Sequence, residues 1–212
     1  PADAVLSEDE ADLLQRVANQ IAPAIQNARL TADLTRTLEE RRVVAAIGRA
    51  ASSETQTRRI FAVVAEELES IIPFDRFAAT IAIPETRDLE VSYVQGSHCE
   101  GREEGSIIGT PIEDDIRELR ARRSILRSYE SLNDIADQGI AKAGLYSWIQ
   151  IVLGEVTDPI GYLSFRSKKT NAYSDVHVEL LEGIARQISP VLKNAQMFEL
   201  ERGLRDQLDT QN

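Results

Sequence analysis

The residues able to do chemistry are few. The one cysteine, Cys99, follows one of the two histidines, His98; the other is His177. A thiol beside an imidazole could act as a nucleophile or attach a prosthetic group. Disulfide exchange needs a second, resolving thiol, and the chain has none. A zinc site needs three or four nitrogen or sulfur ligands. Neither HExxH nor CxxC occurs, nor does a GxSxG nucleophile elbow. The run GREEG at 101–105 lacks the Lys-Ser/Thr of a phosphate loop. No catalytic set and no metal ligands are therefore expected. What remains suits the holding of a small molecule: Thr80, Tyr93, Arg117, Trp148 and Gln150. Trp148 and Gln150 share one face of their strand, and Arg117 suits an anion. The alternative for Tyr93 and Trp148 is simple core filling. Arg117, Arg120, Arg122, Arg123 and Arg127 are offset by Glu113, Asp114, Asp115, Glu118 and Glu130 and read as a solvated face.

The elements that must place these residues are readable from periodicity. A helix is expected over 7–51, kinked at Pro23, with a linker near 30–45, and a second helix over 55–72. Strands follow at 77–83 and 89–94, with an irregular strand inside 96–110. Then come a helix at 111–122, a strand at 124–128, a short helix within 131–144, a hairpin of 146–154 and 159–165, and a helix from Ser174 toward Leu208. This order predicts an α+β sandwich around a central antiparallel sheet. Long terminal helices and 55–72 cover one face, and the short helices cover the other. In 77–83 the bulky Phe77, Ile81 and Ile83 alternate with small Ala78, Thr80 and Ala82. The small side leaves room for a ligand under 111–141.

The 212 residues carry 24 basic and 35 acidic side chains, a net charge of −11. That length gives one domain with something left over. The acidic balance argues against nucleic acid. No apolar run approaches the ~18 residues of a membrane span, and a single cysteine fits a reducing cytosol. A cytoplasmic location and no membrane partner are expected.

The leftover length is explained by a repeat. Residues 6–30 align without gaps to 173–197, with 9 of 25 positions identical, among them Ser7, Gln20, Pro23 and Asn27 with Ser174, Gln187, Pro190 and Asn194. Both copies read as helices capped by serine. Leu14, Val17, Ile21, Ala24 and Ala28 form an apolar stripe at 3,4 spacing, and so do Leu181, Ile184, Ile188, Val191 and Ala195. The simplest account is a parent with tandem homologous domains, cut at Pro1. The imperfect heptads running on through Leu30, Leu34 and Leu38 fit either a domain-packing face or a dimer coiled coil.

From about Ile47 to Leu200 the sequence resembles a GAF domain. PFDR at 73–76 resembles the family's entry to its first strand. Ser147, Gly161, Leu163, Tyr173, Asp175, Leu180, Leu181, Ala185, Gln187, Asn194 and Ala195 carry the rest of the likeness. The resemblance implies a GAF-like fold with residues 1–30 as the last helix of a preceding GAF domain. It implies a connecting helix at 31–46, the GAF domain itself at 47–200 and the start of an output helix at 201–212. It further implies a sensory module of a cytosolic two-component protein, of the sensor histidine kinase type, homodimeric through its terminal helices and a candidate binder of a small ligand. The segment itself is then no enzyme, although a kinase or cyclase domain would follow it. Two alternatives stay open: a redox enzyme like free methionine sulfoxide reductase using Cys99, and a ligand-free dimerisation scaffold.

Family cofactors fit poorly. Bilin-binding members need a cysteine beside a histidine near the pocket helix, whereas His98-Cys99 is reversed and lies on a loop. Haem needs a well-placed axial histidine, which neither His98 nor His177 supplies. The cyclic-nucleotide signature departs here, in KKTNAYSDV, where Val176 replaces the glutamate. The cofactor is left unidentified.

Overall fold

The computed structural model describes residues 8–53, 57–83, 86, 88–109 and 113–210. The expected cap at Ser7 and the helix start at 111–112 lie outside these residues. The chain divides into two compact units, Pro1–Arg41 and Arg42–Asn212.

Within the first unit the described residues form one helix, the beginning of α1 (Glu8–Ser53), with Pro23 inside it. Local bonds support it. Gln15 donates to Asn19 four residues on, and the hydroxyls of Thr31 and Thr35 donate to the carbonyls of Asn27 and Thr31. Its apolar stripe is bare: Leu14, Val17 and Ile21 are 53%, 42% and 48% exposed.

The second unit holds the rest of α1 and then α2 (Thr57–Glu69), β1 (Arg76–Ala82), β2 (Leu89–Gly96), β3 (Ile107–Ile108), α3 (Glu113–Arg122), β4 (Ser124–Ser128), a 3-10 turn at Leu132–Asp134, α4 (Gln138–Lys142), β5 (Ser147–Glu155), β6 (Asp158–Ser167) and α5 (Asp175–Thr210). The six strands form one antiparallel sheet in the order β3-β2-β1-β6-β5-β4. Alternation along the strands divides the sheet into two faces.

The first face carries Phe77, Ala79, Ile149, Ile151, Leu153, Leu163 and Phe165. It packs on Ile60, Phe61, Val64 and Leu68 of α2 and on Leu181, Ile184, Ile188 and Leu192 of α5, with Val43 of α1 joining them. In α2 these residues recur at helical spacing, so one stripe meets the sheet. Thr57 starts that helix, its N–H and hydroxyl donating to the Glu199 carboxylate at 2.8 and 2.9 Å. Helix α5 is fastened twice. At its start, the Ser174 N–H donates to Nδ1 of His177 at 3.1 Å, so His177 takes the role that glutamate has in a capping box. Further along, the Ser189 hydroxyl accepts the Gly154 N–H at 2.8 Å, tying the helix to the β5–β6 turn.

The second face is covered by smaller pieces. Leu119 of α3 joins Leu89, Ile125, Trp148, Val152 and Tyr162. Cys99, Ile135, Ile140 and Leu145 form a separate cluster around α4. Strand pairing is tightest at Gly161, where a Cβ would fall 1.9 Å from the Thr80 carbonyl oxygen, so only glycine fits.

Candidate functional site

The second face of the sheet places several of the expected ligand residues side by side. Across four strands a single row runs Arg76, Arg166, Trp148, Arg127, each the direct cross-strand partner of the next. The neighbouring row runs Ala78, Ser164, Gln150, Ile125, and the next carries Thr80, Tyr162 and Val152. Thr80, Trp148 and Gln150 therefore lie on one surface, as their strand positions predict. All three are buried. The Trp148 indole N–H donates to the Ser164 hydroxyl oxygen at 3.0 Å, and the Thr80 hydroxyl lies 3.5 Å from the Tyr162 carbonyl oxygen.

Two of the expected residues are placed elsewhere. Tyr93 lies on the first face: its ring meets Phe77 at 6.0 Å, and Arg58 of α2 sits 5.5 Å from the ring centroid. The cause is a β-bulge. Thr80 pairs with Val91 but Ala79 pairs with Tyr93, so Ser92 is the extra residue and every side chain beyond it changes face. Arg117 is exposed on α3 and pairs with Asp114 one turn back, at 3.2 Å. It does not join the row.

The arginines of the row differ in how they are answered. Arg127 is bound by Asp115 at 2.5 Å and by Glu118 at 2.8 Å, and its guanidinium lies 5.5 Å from the Trp148 centroid. It is thus a partnered wall of the site and not part of a solvated face. Arg76 is buried and donates to the carbonyl oxygens of Ser97 and Arg102, at 2.6 and 2.5 Å. Arg102 is paired in turn with Asp137, which also caps α4 by accepting the Ile140 N–H at 3.0 Å. Arg166 lies 4.4 Å from the Trp148 centroid, closer than Arg127, and no described residue gives it an ion pair or a side-chain hydrogen bond. Burial pulls its pKa down to about 10. It is not among the residues that the sequence marks for the pocket.

Cys99 sits beside this cluster, 1% exposed. Burial raises its pKa, and the nearby Arg76 and Arg166 only partly oppose that. A reactive cysteine needs a thiolate in an accessible, electropositive place; Cys99 is instead a packed thiol. His98 is exposed and 3.6 Å from Glu103, while His177 is the helix cap already described. Among the described residues, no group of three His, Cys, Asp or Glu is placed to hold a metal ion. A groove of about 490 Å³ opens elsewhere, beside Arg58, Glu104 and Glu199. Three of its charged side chains are already engaged, Arg58 with Glu104 at 2.9 Å and Glu199 with Thr57. No described helix is long and apolar enough to cross a membrane.

No protein-family model matches the sequence, and no curated protein matches it either. Solved structures do. The GAF domain of a two-component sensor histidine kinase from Bacillus halodurans superposes with a TM-score of 0.55 at 24% identity, over 69% of this chain and 99% of that one. A phycoerythrobilin-bound GAF domain from a cyanobacterial phytochrome gives 0.56 at 14%, over 77% and 99%. The free methionine-R-sulfoxide reductase from Neisseria meningitidis, in complex with its substrate, gives 0.57 at 15%, over 74% and 90%. These reductases correct the expectation that the chain is no enzyme, because enzymes share its fold and the fold does not exclude catalysis. Sheet order, helix placement and these neighbours agree on one architecture: the chain carries the GAF fold.

Proposed function

We propose that the chain is a sensory module of a cytosolic signal-transduction protein, of the sensor histidine kinase kind. It binds a small molecule on the second sheet face and dimerises through its long helices. The observation that carries this reading is the bare stripe of α1. Leu14, Val17, Ile21 and Ile25 are 42–53% exposed on one side of the helix, and Leu30, Leu34 and Leu38 are exposed further along it on another side. Apolar side chains at near-heptad spacing are the seam of a helical pair, and a second copy of the same helix supplies the matching stripe. At the other end of the chain, Met197, Phe198 and Leu200 of α5 are likewise exposed. The likeness to GAF domains of sensor kinases supports the signalling setting.

Ligand binding can move such a helical pair only if the ligand prefers one of two helix arrangements. Sedimentation equilibrium over a wide concentration range tests the dimer. A mass twice that of the 23.6 kDa chain is expected. A monomer at every concentration would remove the helical seam from the proposal. Native mass spectrometry of the same sample reports any retained small molecule.

A further inference from the structure

We propose that Arg166 is the anion anchor of the site on the second sheet face, and that its ligand is a short organic carboxylate carrying a second hydrogen-bonding group. This rests on the small-molecule reading above and names the ligand class.

Charge is the first reason. Arg76 and Arg166 stand directly opposite each other on adjacent strands, and like charges so placed repel. Around them Arg102 has already taken Asp137, and Arg127 has taken Asp115 and Glu118. Arg76 is satisfied by neutral carbonyls alone. The compartment therefore holds more positive than negative charge, inside a chain whose net charge is −11. Arg166 is half-buried and feels the Asp137 carboxylate only through space, so its charge lacks a direct partner, which is costly for a cation partly withdrawn from water. Trp148 lowers that cost through its ring face, but it leaves the edge of the Arg166 fork open. A guanidinium edge presents two parallel N–H donors, the geometry that a carboxylate accepts.

Gln150 is the second reason. It is 9% exposed, in the adjacent row, and no described residue hydrogen-bonds its amide. Its amide atoms are not sealed from solvent, so a solute can meet them. The rows are two residues apart, about 7 Å at 3.4 Å per residue. Beside Gln150 in its own row stands Ser164, with Ala78 beyond it, both small, and the Ser164 hydroxyl hydrogen remains available after its oxygen accepts from Trp148. A molecule of a few carbons spans that distance, its carboxylate on Arg166 and a hydroxyl, carbonyl or second carboxyl on Gln150. Arg166 meets the pull of burial on its pKa by gaining this partner.

The test is calorimetric titration of the full chain with glycolate, lactate, pyruvate, succinate and 2-oxoglutarate, alongside inorganic phosphate and methyl lactate. Saturable binding of at least one acid is expected, at least tenfold weaker in Arg166→Gln and unchanged in Arg117→Gln. Gln150→Leu should weaken the same acid but not acetate. Without ligand, Arg166→Gln should unfold at the same temperature as the parent or higher, because a half-buried charge with no ion pair is removed; the winning acid should raise the midpoint of the parent only. If none of the acids binds, or if phosphate alone does, the ligand class is wrong. If methyl lactate binds as well as lactate and Arg166→Gln is indifferent, the anchor is wrong while the small-molecule reading survives. A midpoint several degrees lower in Arg166→Gln would show that Arg166 has an internal partner, and would overturn the proposal.

Discussion

Residues 6–30 and 173–197 are two copies of one pattern, and the molecule treats them oppositely. Ile188 is fully buried against the sheet and Ile21, at the equivalent position, is 48% exposed; Leu181 and Leu14 differ in the same way, 0% against 53%. Sequence pattern specifies a helix with an apolar side, and the fold around it decides what that side meets. In α5 the partner is the β1–β6–β5 surface, with Phe165 and Leu163 at its centre. In α1 the stripe is about half exposed. One copy contributes stability to the domain, and the other presents the apolar side on which the proposed dimer rests.

The largest expected effect breaks this contrast at its strongest point. Ile188→Ala should lower unfolding stability by about 2–5 kcal/mol, the usual cost of a cavity at a fully buried isoleucine. Ile21→Ala should leave the unfolding of the second unit within about 0.5 kcal/mol of the parent, as measured by urea titration of both. Next, Leu14→Ser with Ile21→Ser should weaken dimerisation by at least roughly tenfold, about 1.4 kcal/mol, in sedimentation. Equal loss of domain stability in that variant would show that α1 is structural. Third, Ser189→Ala should cost about 1 kcal/mol, since the Gly154 N–H loses its acceptor. The equivalent residue in α1 is already alanine, Ala22, so the reverse change Ala22→Ser should be silent.

The smallest effect is acidic. Asp75 immediately precedes β1 and ties it to the end of β6, accepting from the Ser167 hydroxyl at 2.8 Å and the Lys168 N–H at 2.7 Å. Burial would raise its pKa, but these bonds prevail and hold it below the usual carboxylate value. A carboxyl lowered in the folded state adds stability above its unfolded pKa, about 3.9. That stability is lost as pH falls through the folded value. Stability of the second unit should therefore begin to decline near pH 4 and continue below it, and Asp75→Asn should remove this component. An unchanged acid limb in Asp75→Asn would show that the contacts of Asp75 contribute nothing.

Much of this architecture is legible in the chain. The strand at 124–128 needs no correction, because a helix end and a turn bound it on either side. The small-residue side of β1 faces away from the long helices as its alternation requires. What fails does so for local reasons. The bulge at Ser92 leaves no mark in a run that alternates cleanly, so Tyr93 is expected on the wrong face. Arg166 is missed because the apolar run ends at Phe165 and RSKK reads as the start of a turn. The strand goes on to Ser167 because the Asp75 N–H reaches the Arg166 carbonyl, at 2.9 Å, and extends the ladder. Arg117 is favoured in its place because it lies on an identifiable helix, yet its own neighbour Asp114 already answers it.

Trp148 stands in the arginine row, and it is the only tryptophan in the chain. Its ring has one guanidinium at 4.4 Å and another at 5.5 Å. Indole emission shifts with the charges around the ring. The protein therefore carries its own optical probe at the sheet surface, inside the second unit. Emission that changes with a solute at fixed protein concentration reports occupancy of the site, and the dependence of that change on dilution reports whether assembly is linked to it.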